Sequence, residues 1–287
     1  MRVRDVLGFV LGTGLAGGSL ALTGSSGQEQ IARSFATLSP PRAAPHPEPT
    51  PIGPEPCLTE STSVPRRLPA TRTDLEHVLR TEPARLGSAS LGAPTRGRLF
   101  GGTRLEPSEA IAIEGGYPWG TELTVRTVTR AIEHVYRCVP GTPKLHVGDI
   151  SREGGGWLRP HRSHQSGLDA DLGYYYEGGE AWYQRATAQT LDRRRTWALI
   201  RALVDSGNVE MIFIDRSVQL LLRDYVASED PDGLALFPTK SRPGESVIRH
   251  AWGHATHMHV RFADKDSVEL GAKLAPLLDT TKLGKRR

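Results

Sequence analysis

The sequence predicts an α+β domain, and three observations predict it. Two segments, GLDADLGYY (residues 167–175) and HMHVRF (257–262), alternate apolar and polar residues with the period of a half-buried strand. Three longer segments carry apolar residues at three- and four-residue spacing, as an amphipathic helix does. Strand and helix signals alternate along the chain and are separated by polar loops.

Taken in order, TELTVRTVTRAIEHVYR (121–137) places Leu123, Val128, Ile132 and Val135 near one helical face, and PGTP ends it. KLHVGDI (144–150) reads as a strand, followed by a glycine-rich loop, SREGGGWLRPHRS. The strand at 167–175 comes next. LDRRRTWALIRALVDSG (191–207) is a helix that turns Trp197, Ile200, Leu203 and Val204 inward and stops at Gly207. VEMIFI (209–214) is a strand, SVQLLLRDYVAS (217–228) a helix, and the alternating HMHVRF closes the set. These elements define a domain over residues 70–278, with a basic tail at 279–287.

What precedes the domain is of a different kind. Arg2 and Arg4 stand before an uncharged run at 6–22 and the small residues TGSSG, which together predict an export signal over residues 1–27. An uncleaved amino-terminal anchor is the rival reading. Ten of the 21 prolines fall between Pro40 and Pro69, so residues 28–69 read as a linker that lacks the apolar side chains to build a core. Cys57 and Cys138 are the two cysteines, and either a disulfide or two thiols fits their positions.

At 287 residues and 38% hydrophobic, the chain is long and apolar enough for a real core. Its net charge of +4 comes from scattered Lys and Arg, and aromatics make up 6%, so no basic stripe with stacking residues marks a nucleic-acid surface. A mild positive charge does favour polyanions, cell-wall material among them.

Six of the ten histidines fall in two windows: His161 and His164 in the first, His250, His254, His257 and His259 in the second. On a strand over 257–262, His257, His259 and Arg261 share one face while Met258, Val260 and Phe262 share the other. Asp169 and Asp171 likewise oppose Leu168 and Leu172. Gly167 lets the chain bend so that His164 and Asp171 meet one ion. One histidine from HMH then completes a His2Asp set with a fourth position for water, the arrangement of a catalytic zinc. With no C-x-x-C pair in the chain, histidine and carboxylate are the donors on offer. His77, His134 and His146 read instead as ordinary satisfied side chains.

The segments LHVGDISREGGGWLRPHRSHQSGLDADLGYY and HAWGHATHMHVRF resemble the penicillin-insensitive murein endopeptidase family. The shared patterns are V-G-D-x-S, S-H-Q-x-G-L-D-x-D and W-G-H-x-x-H-x-H-V-R, over about residues 97–262. The resemblance implies a central antiparallel sheet flanked by helices, in the fold group of lysostaphin, D-Ala-D-Ala metallopeptidases and hedgehog. It implies one Zn²⁺ held by His164, Asp171 and His259, with His257 and His254 as catalytic histidines. His161 matches a family histidine and stands beside the ligands or replaces one. Asp169 and Trp252 also match, as substrate or supporting residues. The chain departs from the family pattern in having only two cysteines, in the proline-rich arm, and after Phe262.

The activity so implied is hydrolysis of the D-alanine to diamino acid cross-link in peptidoglycan, in the periplasm. Peptidoglycan is then the substrate, nucleic acid is no partner, and a membrane is touched only if the amino-terminal segment stays uncleaved. A D-Ala-D-Ala carboxypeptidase or dipeptidase of the same fold group is one rival; those enzymes place a glutamate where this chain has Thr256. A wall-binding protein that keeps its zinc without turnover is another. Arg159, Arg162 and Arg261 are available to bind substrate carboxylates.

Overall fold

The computed structural model describes residues 71–241 and 244–278. The expected export signal, the whole linker with Cys57, and the basic tail lie outside the described residues.

Among the described residues ten strands and five α-helices follow one another. They are α1 (Arg72–Thr81), β1 (Ala89–Ala93), β2 (Arg96–Phe100), β3 (Thr103–Arg104), β4 (Ile111–Ile113), β5 (Trp119–Gly120) and α2 (Glu122–Cys138). Then come β6 (Leu145–Val147), β7 (Asp169–Gly173), α3 (Arg193–Asp205), β8 (Val209–Ile214), α4 (Arg216–Glu229), β9 (Ile248–His250), β10 (His257–Phe262) and α5 (Lys265–Leu274). Short 3-10 turns at Pro83–Leu86 and Pro231–Leu236 complete the set.

Side-chain oxygens placed one residue before each helix fix where it starts. Thr121 Oγ1 accepts the Thr124 N–H at the head of α2, Asp192 Oδ1 the Arg195 N–H at α3, and Asp215 Oδ1 the Ser217 N–H at α4. Each such cap satisfies an otherwise unpartnered helical N–H and stabilises by about 1 kcal/mol. The apolar stripes then face the sheet. Val128, Ile132 and Val135 of α2, Trp197, Ile200 and Leu203 of α3, and Val218, Leu222 and Val226 of α4 are buried in one cluster. Ala170, Leu172, Met258, Val260 and Phe262 from the sheet join that cluster, so the apolar halves of both alternating strands point to the helices.

The main sheet has six strands in the order β4-β6-β7-β10-β8-β9. Its three inner pairings are antiparallel, as expected. The two outer pairings, β4 with β6 and β8 with β9, are parallel, which corrects a wholly antiparallel sheet. The connections explain this: α2 lies between β4 and β6 and α4 between β8 and β9, and a strand that returns through a helix comes back parallel. β1 and β2 form a separate hairpin, against which α5 packs through a smaller core of Leu75, Leu86, Ala89, Leu270 and Leu274. No described helix is long and apolar enough to cross a membrane.

Candidate metal centre

The register of the inner strands builds the site. β10 lies against β7 with His259 opposite Asp171, Arg261 opposite Asp169 and His257 opposite Gly173. On the face away from the helices the two strands therefore present a block of histidine, aspartate and arginine. The segment between β6 and β7 adds Asp149, His161 and His164, and the turn before β10 adds His254.

Three donor atoms converge. His164 Nε2 lies 3.0 Å from His259 Nδ1 and 3.3 Å from Asp171 Oδ1, and His259 Nδ1 lies 3.0 Å from Asp171 Oδ1. Metal–ligand bonds of about 2.0–2.1 Å in a tetrahedron set ligand atoms about 3.3 Å apart, so this triangle has the right size for one ion. His164, Asp171 and His259 are 1%, 4% and 5% exposed. His161, His164 and Asp171 form an overlapping group whose donor atoms lie within 4.8 Å of one another.

The second nitrogen of each ring is spoken for. His164 Nδ1–H donates to the Ile150 carbonyl at 2.8 Å, which leaves the Nε2 lone pair facing the other donors. His259 Nε2–H donates to Asp169 Oδ1 at 3.2 Å, which directs Nδ1 inward in the same way. Asp169, fully buried, also accepts the Arg261 Nε–H at 2.7 Å and the His164 backbone N–H at 3.0 Å. One carboxylate thus orients two candidate ligands at once. His164 itself sits at φ +63°, a left-handed conformation held by this hydrogen bond and the adjoining turn. Gly167, φ +77°, leaves room there: a Cβ would come within 3.0 Å of Leu99 and of the Thr121 nitrogen.

Electrostatics separates the histidines. Burial pushes the His259 imidazole down, but the carboxylates of Asp169 and Asp171 outweigh it and raise it to about 9 in the metal-free protein. Burial also opposes ionisation of both aspartates, and their contacts with His259, with Arg261 for Asp169 and with His164 for Asp171, hold both below the ordinary carboxylate range. His161 is raised, first by the hydrogen bond its Nε2–H gives Asp149 Oδ2 at 3.2 Å. His257 goes the other way: burial, only partly offset by Asp171, lowers it to about 4. His254 is lowered too, by burial and then by the charge of His259. At neutral pH the metal-free site holds a protonated His259 beside a neutral His257 that has a lone pair to accept a proton.

Of the residues singled out in the sequence, His161, His164, Asp169, Asp171, His254, His257 and His259 come together here. His257 Nε2 is 3.9 Å from Asp171 Oδ1, and its ring lies 5.0 Å from that of His254. Trp252 does not join them: its side chain is 84% exposed and edge-on to His250, although its carbonyl accepts the His254 Nδ1–H at 3.0 Å. Arg261 is bound to Asp169 rather than held free for a substrate carboxylate, while Arg159 and Arg162 are exposed. His146, read as an ordinary side chain, is paired with Glu114 at 2.7 Å.

Sequence reasoning missed four contributors. Asp149, which holds His161, sits inside the V-G-D-x-S pattern, and that was its only signal. Thr256 Oγ1 lies 3.0 Å from His257 Nδ1. Trp182 packs over Gly148 and Gly173, and Tyr183 stacks on His257 with ring centroids 5.5 Å apart. Both aromatics come from a loop between β7 and α3 that carries no motif.

Comparison with known proteins finds both a family match and a relative. A family model described as penicillin-insensitive murein endopeptidase matches residues 90–273. The match runs past Phe262 through most of α5 to residue 273, so the first part of the segment expected to depart from the family lies inside it and residues 274–287 lie outside. The penicillin-insensitive murein endopeptidase of Haemophilus influenzae is 28% identical over 215 residues, which are 67% of this chain and 70% of that protein. The matched region holds every one of the converging residues described above, and the chain belongs to the penicillin-insensitive murein endopeptidase family.

Proposed function

We propose that this protein is an exported, zinc-dependent endopeptidase that hydrolyses the D-alanine to diamino acid cross-link of peptidoglycan, on the fold of the D-Ala-D-Ala metallopeptidase and hedgehog group. The observation that carries the proposal is the triangle of His164 Nε2, His259 Nδ1 and Asp171 Oδ1, with edges of 3.0–3.3 Å. Its two nitrogens and one carboxylate oxygen suit a borderline divalent ion, and one position is left for water or substrate. Family membership and the name of the Haemophilus relative support murein as the substrate.

An ion bound there supplies Lewis acidity and a route from water to a nucleophile near neutral pH. The chain's own residues do the rest. Asp169 holds the His259 ring and the His164 backbone, so the donor triangle is preformed. Asp149 holds His161 at the edge of that triangle. His257, neutral at pH 7, takes up a proton at Nε2 as water attacks the scissile carbonyl and returns it to the departing amine. His254, which gives its Nδ1–H to the Trp252 carbonyl and keeps a lone pair on Nε2, stands beside it as a second proton acceptor.

The overlapping group of His161, His164 and Asp171 favours a second reading, in which His161 takes the place of His259. The tighter triangle supports His259, whose Nδ1 lies 3.0 Å from both His164 Nε2 and Asp171 Oδ1, against 3.5 Å between His161 Nδ1 and Asp171 Oδ2.

The test is incubation of the full chain with purified cross-linked muropeptide dimers and, separately, pentapeptide monomers, with products identified by mass spectrometry. Dimers split at the D-alanine to diamino acid bond bear the proposal out. Release of terminal D-alanine alone would assign a carboxypeptidase, and bound metal with no product from either substrate would assign a wall-binding protein.

A further inference from the structure

We infer that Tyr183 is a positioning residue for His257, an inference that rests on the function proposed above. Among the described residues only two non-glycine positions have positive φ: His164 at +63° and Tyr183 at +58°. A bulky L-residue enters this region against a steric penalty, and it persists only where the surroundings impose it. At His164 the reason is visible, since its backbone N–H is held by Asp169 beside the donor triangle. At Tyr183 burial of its own side chain supplies none, because the residue is 61% exposed.

What the strained backbone does achieve is the placement of the ring. Tyr183 lies nearly parallel to the His257 imidazole, 17° between planes at a centroid distance of 5.5 Å. The loop is pinned on both sides of it. Before Tyr183, Trp182 is seated on Gly148 and Gly173, where a Cβ on Gly148 would approach its ring to 2.8 Å. After it, the Tyr176 hydroxyl donates to the Gln184 carbonyl, and the Ala186 N–H donates to the Ala255 carbonyl at 2.8 Å. The second tie joins this loop to the turn that leads into β10, two residues before the histidine that the ring covers.

Stacking on one side and His254 at 5.0 Å on another restrict rotation of the His257 ring, which keeps Nε2 directed toward the donor triangle. A proton acceptor displaced by about 1 Å from its productive geometry can cost about 100-fold in rate, so an exposed ring that fixes a buried one can be worth its backbone strain.

The substitutions Tyr183→Gly and Tyr183→Asn suit the positive φ and remove the ring, so neither is expected to unfold the protein. Both should retain metal content and melting temperature while kcat on muropeptide dimers falls by about 10–100-fold with a smaller change in KM. Tyr183→Phe should restore kcat toward wild type. Proton NMR of the His257 ring, assigned by loss of its signals in His257→Gln, gives a readout that needs no substrate: the Tyr183 ring-current shift should vanish in the glycine variant. Wild-type kcat in Tyr183→Gly would overturn the inference while leaving the proposed function intact. If wild type itself cuts no muropeptide, the proposed function fails, and unchanged His257 resonances in Tyr183→Gly would then overturn the inference independently.

Discussion

Replacing Asp169 with asparagine should damage stability and metal binding together, because one carboxylate serves three donors. In the wild type it accepts His259 Nε2–H, Arg261 Nε–H and the His164 backbone N–H, and it is completely buried. Asparagine keeps the shape but turns one of the two acceptor oxygens into an NH2 donor, which must face either the Arg261–His259 side or the His164 N–H. The Arg261 guanidinium, only 16% exposed in its side chain, loses its counter-charge in either flip. Removing one member of a buried ion pair costs about 3–5 kcal/mol. In a domain of this size each kcal/mol moves the melting temperature by about 2–4 °C, so the chelator-treated variant should melt about 6–20 °C lower. Loss of a carboxylate that orients a metal-ligating histidine typically weakens metal binding about 10–100-fold. Thermal unfolding by circular dichroism and competition against a chromophoric chelator measure the two effects. Adding Arg261→Leu to Asp169→Asn should recover part of the stability, since no charge is then left unpaired, without recovering metal affinity. A single variant with wild-type melting temperature and wild-type affinity would refute the reasoning.

The remaining predictions concern protons, chemistry and packing. His259 in the metal-free protein keeps its extra proton up to pH about 9, so metal uptake at pH 7 should release at least one proton, and apparent affinity should rise about tenfold per pH unit below 9. Calorimetry in buffers of different ionisation heat reads this directly. Because the folded value lies above the ordinary 6.5, His259 stabilises the metal-free fold fully below pH 6.5 and progressively less as pH rises through 9, which unfolding titrations after chelation should show. His257→Ala should lower turnover by about 10²–10⁴-fold while metal content, measured by atomic emission, stays at wild type. Gly148→Ala places a Cβ 2.8 Å from the Trp182 ring and 3.2 Å from Asp171 Cβ. The overpacking should cost about 1–3 kcal/mol in chemical denaturation and reduce activity by shifting the loop that carries Tyr183.

The parts of the site legible in the sequence are those with a strand's period. His257, His259 and Arg261 alternate with Met258, Val260 and Phe262, and Asp169 and Asp171 with Ala170 and Leu172, so one apolar face fixes the direction of the other. Helices α2, α3 and α4 were legible from their own three- and four-residue period, whereas α1 and α5 were not read. Pairings between distant residues were not. Nothing local to Asp169 says that it lies opposite Arg261, or that Asp149 reaches His161, because register is set by strands far apart in the chain. The parallel outer strands were hidden because β4 and β9 are three residues long, and their direction follows from helical crossovers rather than from composition. Tyr183 was least legible of all, since a loop residue at positive φ has no periodic signature, and tyrosine is a residue type that argues against one.

The central claim is that a divalent ion held by His164, Asp171 and His259 cuts the peptide cross-link. Its most direct test is one time course of muropeptide dimer cleavage by wild type, chelated wild type, chelated wild type with Zn²⁺ restored, His259→Ala and His161→Ala, with bound metal quantified in each sample. The account predicts cleavage and one ion per chain in wild type, loss of both on chelation, recovery with Zn²⁺, and neither in His259→Ala, while His161→Ala keeps its ion. Cleavage that survives in metal-free His259→Ala would contradict it.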